Sequence, residues 1–190
     1  MSALADGVLL QCAVLALVDR WPTPSFVLTQ RADGVGIDPG AICWPGGRSR
    51  PEETPRETAL REAAEEISLP PESVSILCEG PTVVVPDRAW AIVPVLALLL
   101  EPAAFAPAAS EVATIHLVPL DDLIDPRTHR HVTTPGGREL AWELPAGRLW
   151  GPTATITGWA LDMVASGWTR RGCPDGIPPL APDQAIGCPP

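Results

Sequence analysis

Residues 44–69 read WPGGRSRPEETPRETALREAAEEISL, and this stretch decides the fold. Its central part, 55–67, is predicted to be a helix, because local signals mark where the helix begins. Thr54 is a suitable N-cap, Pro55 suits the first helical position and Glu57 completes a capping box. A helix of about this length has room for one face that packs and one that stays accessible.

The predicted helix has two chemically distinct faces. At about 100° per residue, three glutamates fall within an arc of about 100° on the side opposite an apolar face. We therefore expect the apolar face to pack on a sheet and the carboxylates to be presented together on the other side. The apolar residues are Leu60, Ala63, Ala64 and Ile67, and the glutamates are Glu62, Glu65 and Glu66.

Three clustered glutamates are ordinarily a solvated helix face, but the charge pattern favours a metal site. Glu62 has no basic residue three or four positions later and meets two further glutamates instead. Such like-charge contacts cost about 0.2–0.5 kcal/mol each. Clustered oxygens without basic partners are what a hard divalent cation requires. The preceding Gly46-Gly47 predicts a tight turn that lets the backbone approach a ligand and exposes a carbonyl for a metal.

The remaining sequence predicts an α/β (α+β) fold with one mixed sheet between helices. Runs rich in Val, Ile and Leu, bounded by Pro, Gly or Asp, predict strands. We expect one domain over 1–169 and a disordered tail rich in Pro and Gly over 170–190. The predicted strands are 8–18, 26–31, 41–44, 74–78, 91–100 and 112–118; a second helix is 152–165, closed by Gly167, with a helical turn at 121–124 and a hairpin at 131–143.

The composition excludes several classes of protein. The net charge is −10 and all 13 basic residues are Arg, so neither nucleic acid nor an anionic membrane is attracted generally. The five cysteines form no CxxC pair, which argues against a zinc ribbon, and Cys173 and Cys188 are not expected to pair in a cytosolic protein. With no 18-residue apolar run and no basic residues before the apolar segment 8–18, we expect a cytoplasmic protein without a secretory signal.

Residues 47–69 resemble the Nudix box, a signature in which Gly, Glu, an Arg-Glu pair and a Glu-Glu pair stand at fixed spacing. All the charged positions match. The departures are Ser68 in place of the final Gly and the small Ala63 at an apolar position. The matching residues are Gly47, Glu53, Arg61, Glu62, Glu65, Glu66 and Leu69.

A second resemblance points to the coenzyme A pyrophosphatase branch of that family. Its extra motif is similar to residues 28–32, LTQRA, followed by Gly40 and then 44–47, WPGG. Gly36 stands where this motif has an Arg, and an Arg can clamp a phosphate where Gly cannot. Glu111-Val112 and 150–154, WGPTA, also resemble the branch, so the likeness covers about 8–165.

The resemblance implies the Nudix α/β/α sandwich and a site that binds Mg²⁺ or Mn²⁺. The implied ligands are Glu62, Glu65 and Glu66, with the Gly46 carbonyl as a further ligand. Arg61 is implied to hold the glutamates by ion pairing and Glu53 to support the site by hydrogen bonding. The general base is left open between Glu62 and Glu111.

Substrate contacts are less strongly indicated. Arg31 is the best candidate for binding a substrate phosphate, and Trp44 either stacks on substrate or fills the core. Trp150 is expected in the core beside the last helix. His129 and His131 share a strand face, but without further His or Cys nearby they do not predict a metal site.

The favoured function is therefore hydrolysis of coenzyme A or an acyl-coenzyme A to 3′,5′-ADP and 4′-phosphopantetheine. Two alternatives remain: a Nudix hydrolase acting on NADH, ADP-ribose or another nucleotide, and a binding or regulatory module that keeps the fold without catalysis. We expect a small-molecule nucleotide as partner and leave a homodimer open.

Overall fold

A mixed β-sheet forms the centre of the molecule in the computed structural model, which describes residues 9–134 and 137–170. A second, three-stranded sheet, three α-helices and two short 3₁₀ helices at Pro71–Ser73 and Pro86–Arg88 complete the described elements. The strands are β1 (Leu10–Asp19), β2 (Ser25–Arg31), β3 (Ile42–Cys43), β4 (Gly46–Arg48), β5 (Val74–Glu79), β6 (Val83–Val85), β7 (Trp90–Leu99), β8 (Val112–Pro119), β9 (His129–Thr134), β10 (Gly137–Leu144) and β11 (Gly147–Leu149); the helices are α1 (Pro55–Ile67), α2 (Leu120–Ile124) and α3 (Gly151–Arg170).

The large sheet runs in the order β3-β2-β1-β7-β5, with β4 on β1, β6 on β7 and β8 on β2. Its central strands, β1 and β7, are parallel and stay in register from Leu10 opposite Trp90 to Val18 opposite Leu98. The other pairings are antiparallel. The smaller sheet has the order β11-β10-β9. The predicted mixed sheet is confirmed.

Alternating side chains of β1 divide the core into two layers. Leu15 and Leu17 pack with Ala63 and Ile67 of α1 on one face. On the opposite face, Ala16 and Val18 belong to a cluster that includes Trp142 of β10 and several residues of α3. Helices therefore cover both faces of the large sheet, as the α/β/α sandwich predicts.

Helix α1 has the predicted bounds and the predicted start. The Thr54 hydroxyl accepts from the Glu57 amide, and the Glu57 carboxylate accepts from the Thr54 backbone N–H at 2.8 Å, which completes the capping box. At the other end, Ser68 takes the left-handed conformation with φ 56°, where Gly is favoured. Its hydroxyl donates to the Ala106 carbonyl at 3.1 Å, which ties the helix end to the loop before β8.

Several elements differ from prediction. Gly46 and Gly47 belong to the short strand β4 rather than to a turn, and β6 and β11 were not predicted. These strands have only three residues each, too few to show periodicity. Helix α3 continues through Gly167 to Arg170 instead of ending at Gly167, so residue 170 of the predicted tail is helical.

Two predicted features fall outside the described residues. The hairpin is present as β9 and β10, with Thr134 opposite Gly137, but its turn at 135–136 is not described. The rest of the predicted tail, 171–190, with Cys173 and Cys188, is not described either.

Among the described helices, none is long and apolar enough to cross a membrane.

We expect Thr54→Ala to lower the free energy of unfolding by about 1 kcal/mol, because it removes the N-cap of α1. Chemical denaturation measures the change. Thr155→Ala is the matched control: Thr155 is exposed within α3, and its hydroxyl donates to the Gly151 carbonyl four residues back. Ala favours a helix interior more than Thr, so this variant should be no less stable than the parent. Equal stability of all three proteins would show that the capping box contributes nothing.

Candidate active site

Glu66 lies on the buried side of α1, although the helical wheel placed it on the accessible face. Its side chain is 5% exposed, and Oε2 accepts a hydrogen bond from the Gly46 N–H at 3.0 Å. Burial raises the pKa of Glu66 to about 7; the Gly46 N–H lowers it, while the negative charges of Glu62 and Glu111 raise it further. Glu62 and Glu111 therefore both lie close enough to Glu66 to repel its carboxylate electrostatically.

Arg61 connects the other carboxylates of the site. Its guanidinium donates to both oxygens of Glu53, at 2.7 and 3.0 Å, to Glu62 Oε1 at 2.7 Å and to Glu65 Oε2 at 3.1 Å. It also donates to the Arg48 carbonyl at 3.0 Å, which links α1 to β4. The structure thus brings Arg61 and Glu53 into the contacts that their predicted positioning roles require.

Glu53 is held as an anion by these contacts. The hydrogen bond from Arg61 lowers the pKa of Glu53 to about 2, with help from the Arg50 backbone N–H at 2.9 Å. A further hydrogen bond comes from the Thr58 hydroxyl at 3.0 Å. Since Glu53 accepts from both the loop and the helix, it fixes the loop after β4 against α1.

The two glycines of β4 are required for different reasons. A Cβ on Gly46 would lie 2.4 Å from the Ala13 carbonyl oxygen, so a side chain there would push β4 away from β1. A Cβ on Gly47 would lie 2.6 Å from Cδ of Glu62. Gly46 therefore permits close strand pairing, and Gly47 leaves room for a carboxylate.

The expectation that the glutamates lack basic partners is wrong. Glu62 is paired with Arg61, and Glu65 is shared between Arg61 and Arg50, whose Nη2 lies 3.0 Å from Glu65 Oε1. Arg61 lies directly before Glu62 and four residues before Glu65, whereas the prediction considered only residues after Glu62, and Arg50 comes from the loop. In residues 9–134 and 137–170, no three His, Cys, Asp or Glu side chains are gathered as a ready metal cluster.

The donor chemistry nevertheless fits a hard divalent cation. Glu66 is a buried carboxylate with two negative neighbours, so added positive charge would stabilise it. Its oxygens, with those of Glu62 and Glu65, are the ligand type that Mg²⁺ and Mn²⁺ take. Binding by Glu62 and Glu65 requires that they share or exchange their contacts with Arg61.

Arg31 and Glu111 border the same site. The Arg31 charge lowers the pKa of Glu66, and its Nε donates to the Ile37 carbonyl at 2.8 Å. The exposed Glu111 accepts a hydrogen bond from the Ala32 N–H at 2.9 Å through its backbone carbonyl. Both residues therefore stand where the loop after β2 meets the start of β8.

The structure decides between the two roles left open for Trp44 and contradicts the one expected for Trp150. Trp44, a predicted substrate contact, is 2% exposed and packs edge-on against Phe26 with ring centroids 4.9 Å apart. It is a core residue with no face free for stacking. Trp150, expected in the core, is 48% exposed and lines a cleft. No local sequence signal marks this exposure, because Trp150 lies directly between the buried Leu149 and the start of α3.

Comparison with known proteins identifies the family. The NUDIX domain family model matches residues 10–135. The chain belongs to the NUDIX domain family. A relative named as the uncharacterized Nudix hydrolase NudL of Pectobacterium atrosepticum is 37% identical over 117 residues, covering 59% of this chain and 58% of that protein. The resemblance drawn from the box is thus confirmed.

Other relatives carry names that include a substrate. The chain is 34% identical to the mouse peroxisomal coenzyme A diphosphatase NUDT7, over 60% of this chain and 49% of that protein. It is 33% identical to the human mitochondrial coenzyme A diphosphatase NUDT8, over 76% and 64% of the two. The chain therefore spans about half to two thirds of the length of these relatives.

Solved structures agree on the fold. A Nudix hydrolase of M. smegmatis, RenU, superposes with a TM-score of 0.52 at 27% identity, covering 60% of this chain and 73% of that chain. A C. elegans Ap4A hydrolase in a binary complex gives a TM-score of 0.51 at 23% identity, covering 60% and 83%, which concerns the fold alone.

We expect Gly47→Ala to reduce kcat about 10- to 100-fold, because the new Cβ displaces the Glu62 carboxylate. The melting temperature should change little, since the displaced group is the end of a side chain that can rotate. Steady-state turnover of a pyrophosphate substrate and thermal denaturation measure the two effects.

Gly36→Ala is the control for this variant. Gly36 is exposed, and a Cβ there meets no atom within 4 Å, so its turnover should match the parent. Unchanged turnover of Gly47→Ala would mean that the position of Glu62 is not important for activity.

Proposed function

We propose that this chain is a divalent-metal-dependent pyrophosphatase that cleaves a nucleoside diphosphate derivative, with coenzyme A or an acyl-coenzyme A as the preferred substrate. The observation that carries the proposal is the buried Glu66 carboxylate, which stands beside Glu62 and Glu111 without a direct cationic partner among the described contacts. Membership of the NUDIX family supports the chemistry, and the similarity to two coenzyme A diphosphatases supports the substrate.

Under this proposal, Glu62, Glu65 and Glu66 hold Mg²⁺ or Mn²⁺, with the Gly46 carbonyl as a further ligand. The metal, when bound, polarises a phosphoryl oxygen and lowers the pKa of a bound water. Arg61 and Glu53 position the glutamates through the contacts described above. Arg31 binds a substrate phosphate from the end of β2, where its charge already reaches Glu66.

The general base is assigned to Glu111 in preference to Glu62. Glu62 is 14% exposed and its Oε1 is paired with Arg61 at 2.7 Å, so one of its two oxygens is already engaged. Glu111 is exposed at the border of the site and lies near enough to affect Glu66. A carboxylate that faces solvent can accept a proton from an attacking water and release it to bulk water.

A second candidate is a Nudix hydrolase of NADH or ADP-ribose. It is favoured by Gly36, which replaces the Arg expected in the coenzyme A motif. The non-catalytic module is disfavoured, because such a module does not need the set of contacts that Arg61 makes with Glu53, Glu62 and Glu65. Assay of the pure protein against coenzyme A, NADH, ADP-ribose and dinucleoside polyphosphates with Mg²⁺ or Mn²⁺ separates these candidates.

We expect activity to be lost in EDTA and to return with Mg²⁺ or Mn²⁺. The proposed hydrolysis needs a Lewis acid, and carboxylates cannot act as one without a bound metal. The measurement is the rate of product release with and without chelator. Glu66→Gln keeps the shape of the side chain but removes its charge, so it should lower both Mn²⁺ affinity and kcat, the latter at least about 100-fold.

The matched control is Glu72→Gln, the same change at an exposed residue after α1. It should bind Mn²⁺ and turn over like the parent. Full activity in chelator, or parental rates in Glu66→Gln, would contradict the proposed site.

We expect Gly36→Arg to lower KM for coenzyme A by at least about tenfold, because a charge-assisted hydrogen bond to phosphate contributes about 1.5–3 kcal/mol. The position tolerates the change, since a Cβ on Gly36 meets no atom within 4 Å. Steady-state kinetics on coenzyme A and on NADH give the comparison.

Gly34→Arg is the control, because Gly34 is equally open and the variant adds the same charge two residues away. A KM for coenzyme A that falls equally in both variants indicates general electrostatic attraction rather than a clamp at position 36. Efficient NADH cleavage without coenzyme A cleavage in the parent would exclude the coenzyme A assignment but not the pyrophosphatase.

A further inference from the structure

A cleft opens on the face of the large sheet opposite α1. Its volume is about 390 Å³. The turn 38–42 forms one wall, and 146–148 together with Trp150 forms the other, with Gln30 of β2 at the base. A volume of this size is within the range of small-molecule sites.

Trp150 presents an indole ring to this cleft from a fixed backbone. Leu149 before it is fully buried in β11, and Gly151 after it begins α3. Trp150 as a whole is 48% exposed. A large aromatic side chain held in this way loses little conformational freedom when a planar ligand stacks on it.

The opposite wall is held in place by internal contacts. The Gln30 amide donates to the Gly40 carbonyl at 3.2 Å, and Asp38 pairs with Arg88 at 2.7 Å. The two walls also meet closely, because a Cβ on Gly147 would lie 2.9 Å from Cδ1 of Ile42. The cleft is therefore formed before any ligand binds.

The cleft and the carboxylate site share the end of β2. Gln30 lines the cleft, while the next residue, Arg31, affects Glu66, since successive strand residues face opposite sides of a sheet. The loop between β2 and β3 is tied to Arg31 by three hydrogen bonds. The Arg31 N–H donates to the Ala41 carbonyl at 2.9 Å, its Nε donates to the Ile37 carbonyl, and its carbonyl accepts from the Gly40 N–H at 3.1 Å. A ligand whose phosphates reach Arg31 can extend over this loop into the cleft.

We propose that the cleft is the subsite for the nucleobase of the substrate, with the base stacked on the indole of Trp150. The inference rests on the proposed function only in requiring a substrate that carries a nucleoside diphosphate. Coenzyme A, NADH and ADP-ribose share an adenosine diphosphate, so the subsite serves each of them. Stacking does not require a particular base, because every nucleobase has a π-face. The walls of the cleft would surround the stacked base.

The test compares binding of AMP with binding of ribose 5-phosphate, which lacks the base. Neither has a pyrophosphate bond, so both report binding without turnover, and Mg²⁺ can be present. Trp150→Leu and Trp150→Phe are both apolar replacements, and only the second keeps an aromatic ring. Leu117→Ala, at a residue 46% exposed on β8 and outside the cleft, is the control.

We expect Trp150→Leu to weaken AMP binding at least about fivefold and to leave ribose 5-phosphate within about twofold. Trp150→Phe should retain most AMP affinity, and Leu117→Ala should match the parent. The inference is overturned if the parent binds AMP no tighter than ribose 5-phosphate, or if Trp150→Leu leaves AMP binding unchanged. It is also overturned if that variant weakens 4′-phosphopantetheine but not AMP, because the other end of the substrate would then occupy the cleft.

The proposed function and the proposed subsite can be refuted independently of each other. A parent protein that hydrolyses no pyrophosphate substrate with Mg²⁺ or Mn²⁺, yet binds AMP in a manner dependent on Trp150, would refute the activity and support the subsite. Hydrolysis that proceeds with unchanged KM in Trp150→Leu, alongside unchanged AMP binding, would support the activity and refute the subsite.

Discussion

The burial of the Glu66 carboxylate is the constraint on which the arrangement of this site depends. Removing a carboxylate from water costs free energy, which is visible as the rise of its pKa to about 7. One hydrogen bond from Gly46 offsets only part of that cost, and the neighbouring glutamates add to it. Under the proposed function, a bound cation would offset the remaining cost.

The backbone around Glu66 makes its hydrogen bond possible. Glu66 reaches the Gly46 N–H only because β4 lies directly against β1, and the absence of a side chain at Gly46 permits this approach. Arg61 then joins the helix to the loop after β4 through Glu53 and the Arg48 carbonyl. The Arg61 side chain is 16% exposed, so its ion pairs are less screened by water than surface pairs are. Under the proposed function, positioning by Arg61 and metal binding by the glutamates use different side chains of the same helix.

The sequence predicted the features that local chemistry controls. Helix α1 begins where the capping box places it, because Thr54 and Glu57 satisfy each other's backbone groups. The sequence could not predict that Glu66 is buried. A helical wheel gives the angle at which a side chain leaves the helix axis, but not how closely a neighbouring strand packs against that side of the helix. The exposure of Trp150 and the burial of Trp44 were equally beyond it, since both depend on how β3 and β11 meet across two sheets.

The charges of the protein limit where a polyanionic substrate could bind. The protein carries a net charge of −10, so a polyanionic substrate is repelled by most of its surface. Of the arginines near α1, Arg50 and Arg61 are already paired with glutamates, which cancels much of their attraction. Arg31 differs, because the partner of its Nε is the Ile37 carbonyl, which carries no net charge. Under the proposed function, Arg31 and the bound metal together must offset the charge of the pyrophosphate. Binding of the metal would then favour binding of the substrate, and the reverse, because the positive metal and the negative substrate attract each other.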